Sequence, residues 1–196
     1  METLAFLGRT LGFSLAAGVN LYATVALVGL ASRYGWVSLP PEYAIFDNDY
    51  VIGAAIAMYV IEFFADKIPW VDTLWDALHT LIRPAGGALM AVAALGDASP
   101  GMQGLMALVG GAVAAGSHAT KAGTRAMVNT SPEPFSNWLL SLGEDVFVVG
   151  LGYLAMAYPL AALVVSALLL LAIVVLATTL VRAFRRRFAR RAAPGG

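Results

Sequence analysis

Cysteine is absent from the 196 residues, which excludes disulfides, thiolate metal sites and cysteine nucleophiles. Charge is scarce as well. Only 12% of residues are Asp, Glu, Lys or Arg while 60% are hydrophobic, whereas soluble domains carry about 25% charged and about 45–50% apolar residues. So few charges cannot cover a water-facing surface. Histidine occurs only twice. Neither a His-Glu-x-x-His motif nor a Walker-type phosphate-binding loop is present, so no catalytic residue and no cofactor is implied. The N-terminus lacks a basic n-region and a small-residue cleavage site, and its apolar stretch is too long for a signal h-region. It is expected to be retained as the first membrane span.

What the chain does have is apolar sequence from end to end, and roughly 20 such residues cross about 30 Å of hydrocarbon. The expected fold is an all-α integral membrane protein of about six transmembrane helices with kinked or re-entrant segments. Leu4 to Ala31 reads as the first span, Tyr50 to Ala65 as the second and Met102 to Met127 as the fourth. Val146 to Val181 reads as a hairpin turning at Pro159. The third span is less clean. Starting it near Val71 makes it long enough, leaves Pro84 as a kink, and places Asp72, Asp76, His79 and Arg83 within or against the membrane.

Formal net charge is zero, but the basic residues are unevenly spread. Arg182, Arg185, Arg186, Arg187, Arg190 and Arg191 crowd the last fifteen positions, directly after an apolar span. Such a run marks a cytoplasmic flank that meets anionic lipid, rather than a nucleic-acid surface. With both termini inside, Lys67, Arg83, Lys121, Arg125 and the tail fall at cytoplasmic ends, Arg9 agrees, and Arg33 lies outside. Residues 1–181 then form a transmembrane domain and 182–196 a basic cytoplasmic tail.

Ala16-Ala17-Gly18-Val19-Asn20 recurs as Ala114-Ala115-Gly116-Ser117-His118, and Pro-containing segments at Leu39-Pro40-Pro41 and Ser131-Pro132-Glu133-Pro134 follow in each copy. Asp47 to Gly53 then matches Glu144 to Gly150. These correspondences suggest a 3+3 inverted-topology repeat with halves about 4–96 and 102–181, an arrangement common in secondary transporters. The same small residues also suit plain helix packing.

Two helix faces carry the ionisable groups. His118, Lys121 and Arg125 are spaced i, i+3, i+7 and form a positive stripe. With Asn20 and Arg83, they are the candidate substrate-binding residues for an anionic group. Asp72, Asp76, His79 and Arg83 share a second face. Glu62, Asp66, Asp72, Asp76, His79, Glu144 and Asp145 are candidates for proton or ion coupling. Three readings of these charges stay open: a structural lattice that also uses Lys67, a transport or proton path, and a metal site. Trp36, Trp70, Trp75 and Trp138 fit an interfacial belt.

The run Glu62-Phe63-Phe64-Ala65-Asp66-Lys67-Ile68-Pro69, with Asp72, Asp76, His79-Thr80 and Ile82-Arg83-Pro84, resembles the bacterial membrane family catalogued as domain of unknown function 4126. Ala17-Gly18-Val19-Asn20, His118-x-x-Lys121-Ala122-Gly123-x-Arg125 and Ser141-Leu142-Gly143-Glu144-Asp145 extend the resemblance over roughly residues 10 to 160. It implies a multi-span bacterial inner-membrane protein and assigns no activity. The expected function is a small transporter or channel for an anionic solute or lipid head group. The alternatives are a non-transporting membrane scaffold and, third, a lipid-head-group enzyme using Asp66, Asp72 and Asp76. Membrane lipids, a small anionic solute and a second copy of the chain are the expected partners, and nucleic acid is not.

Overall fold

The computed structural model describes residues 1–130 and 135–192, without the side chains of Phe184 and of residues 186–192. The Pro-containing segment expected at 131–134 lies outside the described residues. So do the side chains of Arg186, Arg187, Arg190 and Arg191 in the expected tail. The structure is 88% helical with no strand among the described residues. Its helices are α1 (Glu2–Val19), α2 (Leu21–Tyr34), α3 (Asp49–Ala65), α4 (Pro69–Ala93), α5 (Pro100–Val128), α6 (Phe135–Ala157) and α7 (Pro159–Ala192), with a short 3-10 turn at Pro41–Phe46. Among the described residues two helices, Phe135–Ala157 and the stretch Pro159–Ala183, are long and apolar enough to cross a membrane.

Local chemistry sets the helix ends. Pro69, Pro100 and Pro159 open α4, α5 and α7, where the missing N–H costs nothing and φ is already helical. The side chains of Asn48 and Ser99 cap α3 and α5. Gly35, at φ 61, closes α2 in the left-handed region that favours glycine. Pro84 sits inside α4 without ending it.

The expected first span is not continuous. At Asn20 the backbone turns extended (φ −146, ψ 99), and the Asn20 side chain accepts the Ala23 N–H at 2.9 Å, capping α2. A new helix can therefore start one residue after the previous one ends. α2 then runs back toward the end from which α1 set out. Its Val28 and Ala31 cluster with Phe13 and Tyr43, and Gly29 lies against Phe46 and Ile52.

The remaining helices pack as antiparallel neighbours. Along the α4–α5 seam Asn129 meets Asp72, His118 meets Arg83, and Gly110 meets Gly87 and Ala91. A Cβ on Gly87 would lie 2.9 Å from the Gly110 carbonyl oxygen and collide with the Ala114 side chain, so the small residues permit this close approach. Likewise α7 folds back on α6 beyond Tyr158, bringing Leu176 to the level of Leu140 and Val165 to that of Leu151.

These contacts define two ends. Met1, Pro41, Ala94 and Pro159 gather at one. At the other, Asn129 bonds the Pro69 carbonyl and Asn137 the Asp66 carbonyl, and α7 continues past Leu176 in the same direction. Because α1 and α2 make a returning pair, the N-terminus and the last turns of α7 lie at opposite ends, correcting the expectation that both termini share one side. Arg9 accordingly sits with Arg33 at the N-terminal end.

The inverted arrangement of the Ala-Ala-Gly elements also gives way. Along α1 and α5, Ser14 lies beside Gly110, Gly18 beside Ala114, and the Val19 carbonyl beside Lys121. The two helices therefore run in the same direction. The α4–α5 seam joins the two stretches expected as halves.

Candidate functional site

α4 places its charges on the inside. Asp72, Asp76, His79 and Arg83 recur every three or four residues and all four are buried, while Leu74, Leu78, Leu81 and Leu89 are exposed. The same inversion holds on α3, where Glu62 is 0% exposed and Ile56, Val60, Ile61 and Phe64 face outward. His118, Lys121 and Arg125 of α5 are buried against this face.

The three cations each bridge helices. Arg83 donates to Glu62 Oε1 at 2.6 Å and to Asp76 Oδ1 at 2.9 Å. Lys121 Nζ lies 3.4 Å from the same Glu62 oxygen, 3.1 Å from Asp66 and 3.3 Å from Glu144, and it donates to the Val19 carbonyl at 3.2 Å. That carbonyl is left without a helical partner by the break at Asn20. Arg125 grips Glu144 with a two-pronged contact, 2.9 and 2.5 Å, and reaches Asp66 at 3.2 Å and Asp72 at 3.8 Å.

Both histidines have partners that assign their tautomers. His79 Nδ1 faces the Trp75 carbonyl at 2.7 Å and so carries the proton, leaving Nε2 to accept the Tyr22 hydroxyl at 2.9 Å. His118 Nδ1 faces the Arg83 guanidinium at 2.7 Å and therefore accepts. Its Nε2–H points to Thr80 Oγ1 at 3.3 Å.

The network is rich in acid. Glu62, Asp66, Asp72, Asp76 and Glu144 face Arg83, Lys121 and Arg125, five carboxyls against three cations and an excess of two. Glu62 Oε2, Asp66 Oδ1, Asp72 Oδ1 and Asp76 Oδ2 are buried without a hydrogen-bond partner among the described residues. Unpaired buried charge is costly, and the usual relief is a proton or a bound cation. No group of three or more His, Asp or Glu side chains converges as a metal-binding set among the described residues.

Openings between the helices touch the network. A crevice of about 190 Å³ between α4 and α5 is lined by Thr73, Asp76, Thr80 and Arg125. A groove of about 400 Å³ has Lys121 and Glu144 in its wall beside apolar residues of α1, α6 and α7.

The structure thus gathers Glu62, Asp66, Asp72, Asp76, His79, Arg83, His118, Lys121, Arg125 and Glu144 into one cluster. The positive stripe on α5 is not open, because carboxylates or Arg83 occupy every one of its members. Asn20 caps α2 through its Oδ1. Asp145 is only half-buried and, like Lys67, makes no salt bridge among the described residues; Lys67 instead bonds the Phe63 carbonyl at 2.9 Å and lies over the Phe63 ring. Sequence reasoning missed Asn137, whose Oδ1 accepts from Arg125 at 2.7 Å and whose amide holds the Asp66 carbonyl. The signal was there: Asn137, Ser141 and Glu144 recur at i, i+4, i+7 on α6.

A family model described as "Domain of unknown function (DUF4126)" matches residues 7–179. No curated protein and no solved structure gives a match.

Proposed function

We propose that this chain, which belongs to the DUF4126 family, is a multi-pass inner-membrane transport protein whose mobile charge is a proton held in the buried acid-rich network. Membrane placement is supported by the inverted faces of α3 and α4, whose charges turn inward and leucines outward, as an apolar solvent favours. Five helices, α3 to α7, then span the bilayer and α1–α2 form a re-entrant pair. Lys67, Lys121, Arg125 and the end of α7 mark the cytoplasmic side, which puts the N-terminus outside.

The observation that carries the proton reading is the excess of two carboxyls, with four oxygens that lack a hydrogen-bond partner among the described residues. Glu62 is its pivot, because one oxygen serves both Arg83 and Lys121 while the other has no partner. An anionic cargo is not kept, since it would have to displace carboxylates from each cation. The test is the full chain reconstituted in vesicles holding a pH-sensitive dye under a potassium diffusion potential. Wild-type protein is expected to drive internal pH and Glu62→Gln to abolish the change. Vesicles as proton-tight as protein-free ones would end the proposal.

A second reading, a static scaffold, is favoured by the pairing of every network cation with carboxylates from other helices. It gains if the vesicles stay tight and a paired Glu62→Arg, Arg83→Glu exchange restores the thermal stability that either change alone removes.

A further inference from the structure

At the N-terminal end, far from the charged network, lies a cavity of about 850 Å³ between the start of α1, the Pro41–Phe46 turn and the α6–α7 turn. Its lining is largely apolar, with Phe6, Pro40, Tyr158 and Leu160 among its walls. Two residues of that wall carry a buried donor without a hydrogen-bond partner among the described residues. Tyr43 is 1% exposed and its hydroxyl has no partner among the described residues; neither has Arg9 Nε. Burial pushes the Tyr43 phenol up, with Arg9 opposing and Glu42 adding to the rise, so the hydroxyl keeps its proton and can only gain by donating it. Glu2 and Glu42 line the same cavity.

This charge pattern selects its occupant. An anion alone would satisfy the donors but face two carboxylates. A cation alone would leave both donors bare, at the cost of buried unpaired polar groups. A group carrying both charges meets each need.

We propose that the cavity holds the head group of a zwitterionic phospholipid of the phosphatidylethanolamine kind. The phosphate sits on Arg9 and the Tyr43 hydroxyl, the ammonium faces Glu42 and Glu2, and the acyl chains leave over Phe6 and Leu160. The inference rests on the membrane placement above but not on proton movement. Proton flux and lipid retention are read in separate assays, so either can fail alone.

The experiment is native mass spectrometry of the detergent-purified full chain offered phosphatidylethanolamine, phosphatidylglycerol and phosphatidylcholine in turn. Wild-type protein is expected to retain phosphatidylethanolamine best. Tyr43→Phe is expected to lower that retention roughly ten-fold without lowering the unfolding temperature, since the hydroxyl has no protein partner to lose. Arg9→Gln should lower it at least as much. Phosphatidylglycerol retained as strongly as phosphatidylethanolamine, or Tyr43→Phe retaining lipid like wild type, would overturn the proposal. Full competition by equimolar soluble phosphoethanolamine would overturn a lipid as the occupant.

Discussion

α4 and α7 both present leucines outward, yet they are built on opposite plans. α4 carries Asp72, Asp76, His79 and Arg83 on one face and buries all four, whereas α7 is apolar almost all round as far as Val181 and leaves most of its side chains exposed. In water the polar face of a helix turns outward. Here the charged face turns inward, so α4 is fastened to its neighbours by ion pairs, whereas α7 is held by apolar contacts among the described residues. The difference predicts where the molecule breaks.

The largest effect belongs to the ion-paired helix. Arg83→Met strips Glu62 and Asp76 of their guanidinium, and removing one partner of a buried pair costs about 3–5 kcal/mol. The unfolding midpoint in detergent should fall accordingly. Leu176→Ala on exposed α7 should stay within about 0.5 kcal/mol, and equal losses at the two positions would break the contrast. Next come the glycines. Gly87→Ala must push α4 from α5 and is expected to cost about 1–3 kcal/mol, while Gly150→Ala on α6 meets open space and should cost nothing. Asn20→Ala removes the cap of α2, worth about 1 kcal/mol, while leaving every network cation its carboxylates. Smallest is Ser166→Ala. This α7 hydroxyl is buried without a partner among the described residues, so the change should be neutral or raise the midpoint slightly, sharpening the view that α7 makes no polar contact there.

The two plans were unequally legible. The shared face of Asp72, Asp76, His79 and Arg83 followed from spacing alone, because helical periodicity is local. So did the Pro159 break. Which charge meets which was not legible, since Lys121 meets Glu62 and Asp66 across 59 and 55 residues of chain. The stripe on α5 therefore read as open when it is filled. The Asn20 break hid inside a long apolar run, where hydropathy cannot separate one helix from two that turn back. An Asn able to cap, three residues before Ala23, was its only mark. The start of α6 at Phe135 was missed because its first turns carry Asn137, Ser141 and Glu144, which lower hydropathy where they serve the cluster.

The break at Asn20 also sets a timetable. The Val19 carbonyl depends on Lys121, which the ribosome adds 102 residues later. At about 5–20 residues per second, that is a wait of roughly 5–20 s. During synthesis the α1–α2 pair must therefore wait with its hinge uncovered, and it can seat only when α5 arrives. A nascent chain stalled short of Lys121 should expose residues near 20 to a membrane-permeant label that the finished protein excludes.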